Sequence, residues 1–407
     1  MKPLLAIAII SIIALIGSRI TFLNRSLPIG IRNILFTGTE YIFIGILLGE
    51  MGLNILDNGT LIKLESFLLF GLSWVGFLFG LQFEMRLIRK LPKYYFSITA
   101  IQAAITFVFV SVVVFFAMNQ LTLLPKVIIF MVATTLGATA SCTAQSAIAI
   151  VSRNYDIRDH GLLSLLRYVS GVDGVFALLF FMIALSIVPE GAVEKISLVS
   201  SIEWIMMSVL MGIIPAIVLI LLSRTKFKQQ EYFVFLIGIV LFCGGLADQM
   251  TYSPLVAGFI CGIVTANLCR HRLRALAVVI HAERSIYIIL LLMLGAGWHF
   301  KIDESLIIAG VYFFSRMIGK TSGIFVATRV FKPFFKVPAK FGLGLLSEGG
   351  LVIAMVLSLR TIYPSLSDSL TTIVILSIFV NEFFSPRLIL TQFTNKQLII
   401  RKKMDGI

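Results

Sequence analysis

The sequence predicts an all-α polytopic membrane protein of about thirteen transmembrane helices, and three observations predict it. Of its 407 residues 58% are hydrophobic and 13% charged, where a soluble domain carries roughly 25% charged residues; mean hydropathy is +1.01. Apolar runs recur along the whole length, among them 4–17, 98–117, 205–222 and 286–297, and several approach the ~20 residues that cross a ~30 Å hydrocarbon layer. Basic residues gather in short loops at regular intervals, the pattern that orients a membrane protein. Lipid satisfies no backbone N–H or C=O, so such spans are helices.

Taken in order, the helices are expected near 3–17, 30–53, 66–84, 95–117, 126–150, 161–188, 203–223, 232–247, 252–269, 284–298, 304–328, 341–360 and 369–393. The first resembles a signal peptide, yet no small-x-small cleavage site follows it, so it reads as a retained helix. The fifth is small and polar in its middle, Thr134 to Ser146, and the twelfth opens on the glycine-rich stretch Gly342 to Gly350. Interrupted spans in corresponding positions point to inverted repeats around a midplane site. The expected organisation is therefore one transport domain: a first six-helix repeat (3–188), a linker helix (203–223), a second repeat (232–393) and a cytoplasmic tail (394–407), with helices 5 and 12 broken where they cross.

Loop charge sets the orientation. Twenty-four of the 34 basic residues fall in loops on one side, from Arg19, Arg25 and Arg32 through Arg270, Arg272, Arg274 and Arg284 to the tail; six fall on the other. The positive-inside rule then puts the C-terminus in the cytoplasm and the N-terminus outside. This placement gives the net charge of +14 a lipid-facing role and speaks against nucleic acid. Short loops and no nucleotide-binding segment suggest a prokaryotic inner membrane.

Four basic residues remain inside apolar helices, Arg167, Arg316, Lys320 and Arg387, together with the acids Asp173, Glu348 and Glu382. An ionisable group at membrane depth costs at least ~2.5–3.5 kcal/mol and usually serves function. Asp173 stands out, flanked by Gly171 and Gly174 and followed by a purely apolar half-helix. Burial favours the protonated acid and a nearby cation the carboxylate, so one such group holds a proton or a monovalent cation but hardly both. The histidines form no HExxH or nucleophile constellation, the four cysteines no metal or disulfide spacing, and no enzyme or cofactor is expected.

Five stretches carry a family resemblance across almost the whole chain. Gly45-Ile-Leu-Leu-Gly-Glu-Met-Gly-Leu53 resembles G-x-x-L-G-P-x-G-L, with Glu50 in place of proline, and Phe77-Leu-Phe-Gly-Leu-Gln-Phe-Glu-Met-Arg86 resembles F-L-x-G-L-E-x-D. Ser141-Cys-Thr-Ala-Gln145 resembles an unwound S-x-T crossing, Val172-Asp173-Gly174 sits at an Asp-Asp or Asn-Asp pair, and Ser253 to Gly262 resembles S-x-L-x-G-A-F-x-A-G. These are similar to the monovalent cation/proton antiporters of the sodium/proton exchanger superfamily. The resemblance implies a homodimer whose core moves like an elevator and which carries Na+ or K+ against H+. It implies ion and proton binding at Asp173, the one expected ligand of a transported metal ion, with support from Ser141 and Thr143 and a buried basic role for Arg316. Val172 replaces the first member of the acidic pair, so one-for-one electroneutral exchange is the simpler expectation. Glu348 falls where relatives carry arginine, so a charge-swapped pair with Arg167 is expected. Glu382, beside Asn381, is expected either to neutralise Arg316 or to add a second titratable site, and Lys320 joins this charged core. The rival readings are a cation channel and a transport-degenerate sensor or membrane subunit; a separate cytoplasmic regulatory subunit is a possible partner.

Overall fold

The computed structural model describes residues 2–19, 28–88, 92–157, 159–187, 198–223, 228–270, 272–300, 303–364, 367–393 and 399–401. Several of the basic loop residues, including Arg25, lie outside the described residues. The chain is almost entirely helical: α1 (Lys2–Arg19), α2 (Ile29–Thr37), α3 (Glu40–Leu48), α4 (Asn58–Lys63), α5 (Glu65–Gln82), α6 (Met85–Ile88), α7 (Lys93–Leu121), α8 (Lys126–Ser141), α9 (Ser146–Asn154), α10 (His160–Ser186), α11 (Leu198–Leu222), α12 (Gln229–Gln249), α13 (Pro254–Leu268), α14 (Arg272–Ala296), α15 (Glu304–Phe331), a 3-10 turn (Phe341–Leu345), α16 (Gly350–Ile362) and α17 (Ser367–Gln392). Two three-residue strands, β1 (Tyr155–Ile157) and β2 (Ile399–Arg401), pair antiparallel with Tyr155 opposite Arg401, and so tie the tail to the end of α9.

Helical segments occupy all thirteen predicted places. Among the described residues nine are long and apolar enough to cross a bilayer, and α2 with α3, bent by 57°, makes a tenth. The remaining three are α13 and α16, which are short, and α15, which carries Arg316 and Lys320. The bend of the second span was not foreseen. It sits at Gly38, whose φ of +81° is open to glycine at no steric cost, and the Thr37 hydroxyl turns back onto the Asn33 and Ile34 carbonyls beside it. The tenth span also differs: α14 starts at Arg272, twelve residues before the predicted start. Hydropathy reads Arg272, Arg274, Glu283 and Arg284 as loop, but arginine and glutamate are good helix formers.

Two packed groups emerge. In one, α5 lies on α13 at a distance only glycine permits: a Cβ added at Gly76, Gly80, Gly258 or Gly262 would sit 2.1, 2.2, 2.2 or 2.3 Å from a facing backbone carbonyl oxygen. The four-residue spacing of each pair is the small-xxx-small pattern of close membrane helices. The same group holds α3 against α14, where Gly295 meets the Ile42 carbonyl. In the other group α7 packs on α15 and α8, and α10 on both α7 and α8. Helix α17 joins α15 to α2.

Candidate ion-exchange site

Helix α8 stops at Ser141 and resumes as α9 at Ser146; the 3-10 turn stops at Leu345 and resumes as α16 at Gly350. Across these gaps the Ala144 amide donates to the Ser347 carbonyl at 2.9 Å, and the Ser146 and Ser347 hydroxyls lie 3.2 Å apart. The two breaks therefore meet. Each frees backbone carbonyls at a helix end, where the aligned peptide dipoles leave negative charge.

Two cations from α15 fill that negative region. Arg316 donates to carbonyls of both breaks, Ala140 and Cys142 on one side (3.2 and 2.8 Å), Leu346 and Ser347 on the other (2.5 and 3.5 Å), and its Nε lies 3.2 Å from Glu348 Oε1. The planar guanidinium spreads its donors over several acceptors, which a point charge cannot do. Four residues on, hence on the same face, Lys320 donates to the Ser141 carbonyl at 2.6 Å, Thr143 Oγ1 at 2.8 Å and Asp173 Oδ2 at 3.0 Å. Thr143 completes the cage with its amide on Asp173 Oδ1 (3.1 Å) and its hydroxyl on Oδ2 (2.5 Å). Asp173, Arg316, Lys320, Glu348 and Glu382 are all 0% exposed.

The structure thus brings Asp173, Thr143 and Lys320 into one contact, and Ser141 joins differently from expectation. Its hydroxyl turns back on the Ala138 carbonyl at 2.7 Å, and its own carbonyl faces the ammonium. The charge-swapped pair is corrected: Arg167 lies on an exposed face of α10, whereas Glu348 binds Arg316 and accepts from Ser377 and Asn381, both at 2.9 Å. Arg167 stands six residues before Asp173, which sets the two side chains about 120° apart around the helix and so on different faces. Glu382 does not neutralise Arg316 either. It accepts from Ser347 Oγ at 2.7 Å and from Asn33 on α2. Ser347 and Asn33 were missed as site residues. Ser347 carried a signal, lying inside the glycine-rich stretch; Asn33 carried only its polarity within an apolar span.

A cavity of about 400 Å³ reaches the break from one side, lined by Thr143, Gln145, Ser146 and Ser170 near the site and by Glu283 and Tyr287 of α14 farther out. It lies toward the Gln82 end of α5 and the middle of α14, from Ile280 to Leu291 and including Arg284. Beyond the C-terminal end of α14, polar contacts reach α16 and α17: Arg360 donates to the Gly297 carbonyl at 3.2 Å, and the Trp298 indole to Thr372 at 2.8 Å.

Residues 7–388 match the sequence pattern of the family described as sodium/hydrogen exchanger, transmembrane. The chain belongs to the sodium/hydrogen exchanger family. Its fold is similar to that of the sodium proton antiporter MjNhaP1 from Methanocaldococcus jannaschii, at 16% identity and a TM-score of 0.68, over 97% of this chain and 100% of that one. A second structure of MjNhaP1, from electron microscopy, aligns at 16% identity and a TM-score of 0.58, over 86% and 90% of the two chains. No curated protein matches the chain. As a sodium/hydrogen exchanger family member with this fold, it is a multi-pass membrane transporter and not an enzyme.

Proposed function

We propose that the protein exchanges a monovalent cation, Na+ or K+, for H+, one for one, with Asp173 as the cation's carboxylate ligand and cation and proton in competition for the buried negative charge. The observation that carries this reading is the Lys320 ammonium on Asp173. It occupies the position a dehydrated cation needs, held by three oxygens from Ser141, Thr143 and Asp173 at 2.6 to 3.0 Å. A monovalent cation entering there displaces the ammonium and keeps the same oxygen set, and the charge it adds favours loss of a proton from the core. Transported ions are the only ligands this chemistry needs.

Movement follows an elevator-type alternation. The group containing α7, α8, α10 and α15 carries the site, and the group containing α5, α13, α3 and α14 forms the flanking wall of the cavity, which faces the basic, cytoplasmic side. The functional unit is a homodimer in a plasma (inner) membrane, N-terminus outside and C-terminus inside, open to control by a separate cytoplasmic subunit.

Purified protein in vesicles bearing an imposed proton gradient tests this. Adding Na+ or K+ dissipates acid-interior fluorescence quenching, D173N abolishes the response, and clamping the membrane potential leaves the rate unchanged. Cation current indifferent to pH would identify a channel. A wild type with no flux under any gradient would identify a sensor or regulated subunit.

A further inference from the structure

Resting on the exchange reading above, we infer that the proton exchanged for the cation is held by Glu382, on a carboxyl separate from the one that binds the cation. A charge count leads there. Six charged side chains are buried among the described residues: Asp173, Arg316, Lys320, Glu348, Glu382 and Glu84. Glu84 pairs with Arg272 at 2.5 Å, away from the site, at the end of α5. Asp173 pairs with Lys320 at 3.0 Å and Glu348 with Arg316 at 3.2 Å. Glu382 is the carboxyl left over, with two neutral donors, Ser347 Oγ and Asn33 Nδ2, and no ion pair among the described residues. Of three buried acids sharing two cations, the one without a cation takes the proton.

The surroundings of Glu382 agree. Elements packed on α17 are α15, α2, α9, α16 and the 3-10 turn. Arg316 and Lys320 of α15 are committed as above, and Glu304 and Arg329 sit at its ends. On α2, Arg32 makes no ion pair with Glu382; on α9, Arg153 lies over the Phe36 ring; on α16, Arg360 reaches the Gly297 carbonyl at the far end. The 3-10 turn carries no charge, and on α17 itself Arg387 lies over Phe383. Glu348, next in sequence to Ser347, is committed to Arg316.

A route for the proton is in place. Ser347 Oγ stands 2.7 Å from Glu382 Oε1 and 3.2 Å from Ser146 Oγ, and Ser146 lines the cavity. As the cation reaches Asp173, the protonated Glu382, pointing its O–H at Ser347 Oγ, passes its proton there, Ser347 passes its own to Ser146, and Ser146 passes one to cavity water, which leaves Ser347 donating to the new carboxylate. The core gains one positive charge and loses one, so both forms have equal charge and the exchange is one for one. Ser385, three residues along α17 and on the same face, has a buried hydroxyl without a partner, a spare donor for the carboxylate once formed.

The test counts protons. Purified full-length protein in weakly buffered detergent solution with a pH dye receives NaCl or KCl, with choline chloride as control. Wild type releases about one proton per cation bound, and its apparent cation affinity rises about tenfold per pH unit, as linkage requires. E382Q binds cation with affinity independent of pH and releases none, and E382D retains release. In infrared difference spectra the wild type loses a protonated-carboxyl stretch on cation addition, and E382Q lacks that band; in E382D the band persists at a shifted frequency, which carries the assignment to this position where E382Q fails to fold, and an unshifted band in E382D would overturn it. Proton release by E382Q equal to wild type would overturn the assignment and return the proton to Asp173 or Lys320. Cation binding to D173N as tight as to wild type would instead overturn the placing of the cation, leaving the infrared assignment of Glu382 standing.

Discussion

Replacing Lys320 by methionine keeps most of the length of the side chain and removes the ammonium. In the native site all three ammonium protons are used, on the Ser141 carbonyl, Thr143 Oγ1 and Asp173 Oδ2. The variant leaves Asp173 with the Thr143 amide and hydroxyl alone, at 0% exposure. Removing one partner of a buried ion pair costs about 3–5 kcal/mol. At no more than about 2 °C per kcal/mol for a chain of this size, the melting temperature in choline chloride falls by several degrees, up to roughly 10 °C. Cation restores part of this, since saturation at 100 times the dissociation constant contributes about 2.7 kcal/mol, or roughly 5 °C on the same scale. In wild type the cation first has to displace the ammonium, so its thermal shift in NaCl or KCl is smaller. Thermal melts of detergent-solubilised protein at constant ionic strength measure both differences. The double variant D173N/K320M returns near wild-type stability and ignores cation, because neither charge is left unpaired. A K320M protein that melts like wild type in choline chloride, or that gains no more from cation than wild type does, would refute ammonium–cation competition at Asp173.

Two further outcomes follow from the packing and from an external cap. G258V puts three side-chain carbons where even a Cβ would lie 2.2 Å from the Ser73 carbonyl oxygen, so α5 and α13 must separate; overpacking of this kind costs typically ~1–3 kcal/mol, read as a lower melting temperature, whereas valine at Gly238, with nothing within 4 Å of the added Cβ, leaves it unchanged. Asp57, outside the membrane spans, caps α4: the Thr60 hydroxyl and its amide (2.8 Å), with Lys2 at 3.2 Å, hold its carboxyl down at about 2. Because the folded value lies below the unfolded one of about 3.9, the carboxylate's contribution is complete above pH ~4 and is lost as pH falls through about 2; D57N flattens that part of the melting-temperature profile, lying below wild type near neutral pH and meeting it as pH approaches ~2.

Much of the fold was legible because membrane insertion writes itself into one dimension. Apolar runs and loop arginines gave the places of the spans without any tertiary knowledge. The places that failed share a cause. Helix α14 is longer than predicted because Arg272, Arg274 and Arg284 look like loop to a hydropathy scale, whereas in the fold Arg272 pairs with Glu84 and Arg274 lies over the Tyr232 ring within the helix. The bend at Gly38 was missed because a single glycine between two threonines interrupts no apolar run.

The site divides the same way. The sequence by itself determined which residues could matter: a charge in an apolar helix has to be solvated by protein, so Asp173, Arg316, Lys320, Glu348 and Glu382 announced themselves one at a time. It could not say who pairs with whom, because pairing depends on the angle at which helices meet, and a turn of 100° per residue moves a side chain from core to lipid. Tertiary structure put Arg167 on an exposed face, gave Glu348 to Arg316 and Asp173 to Lys320, and left Glu382 with Ser347 and Asn33. Three acids and four bases were countable in the sequence, and the fold buries only two of the bases, Arg316 and Lys320. Only the folded chain showed which acid is left without a cation, because pair distances of 3.0 and 3.2 Å exist only once the two helix breaks meet.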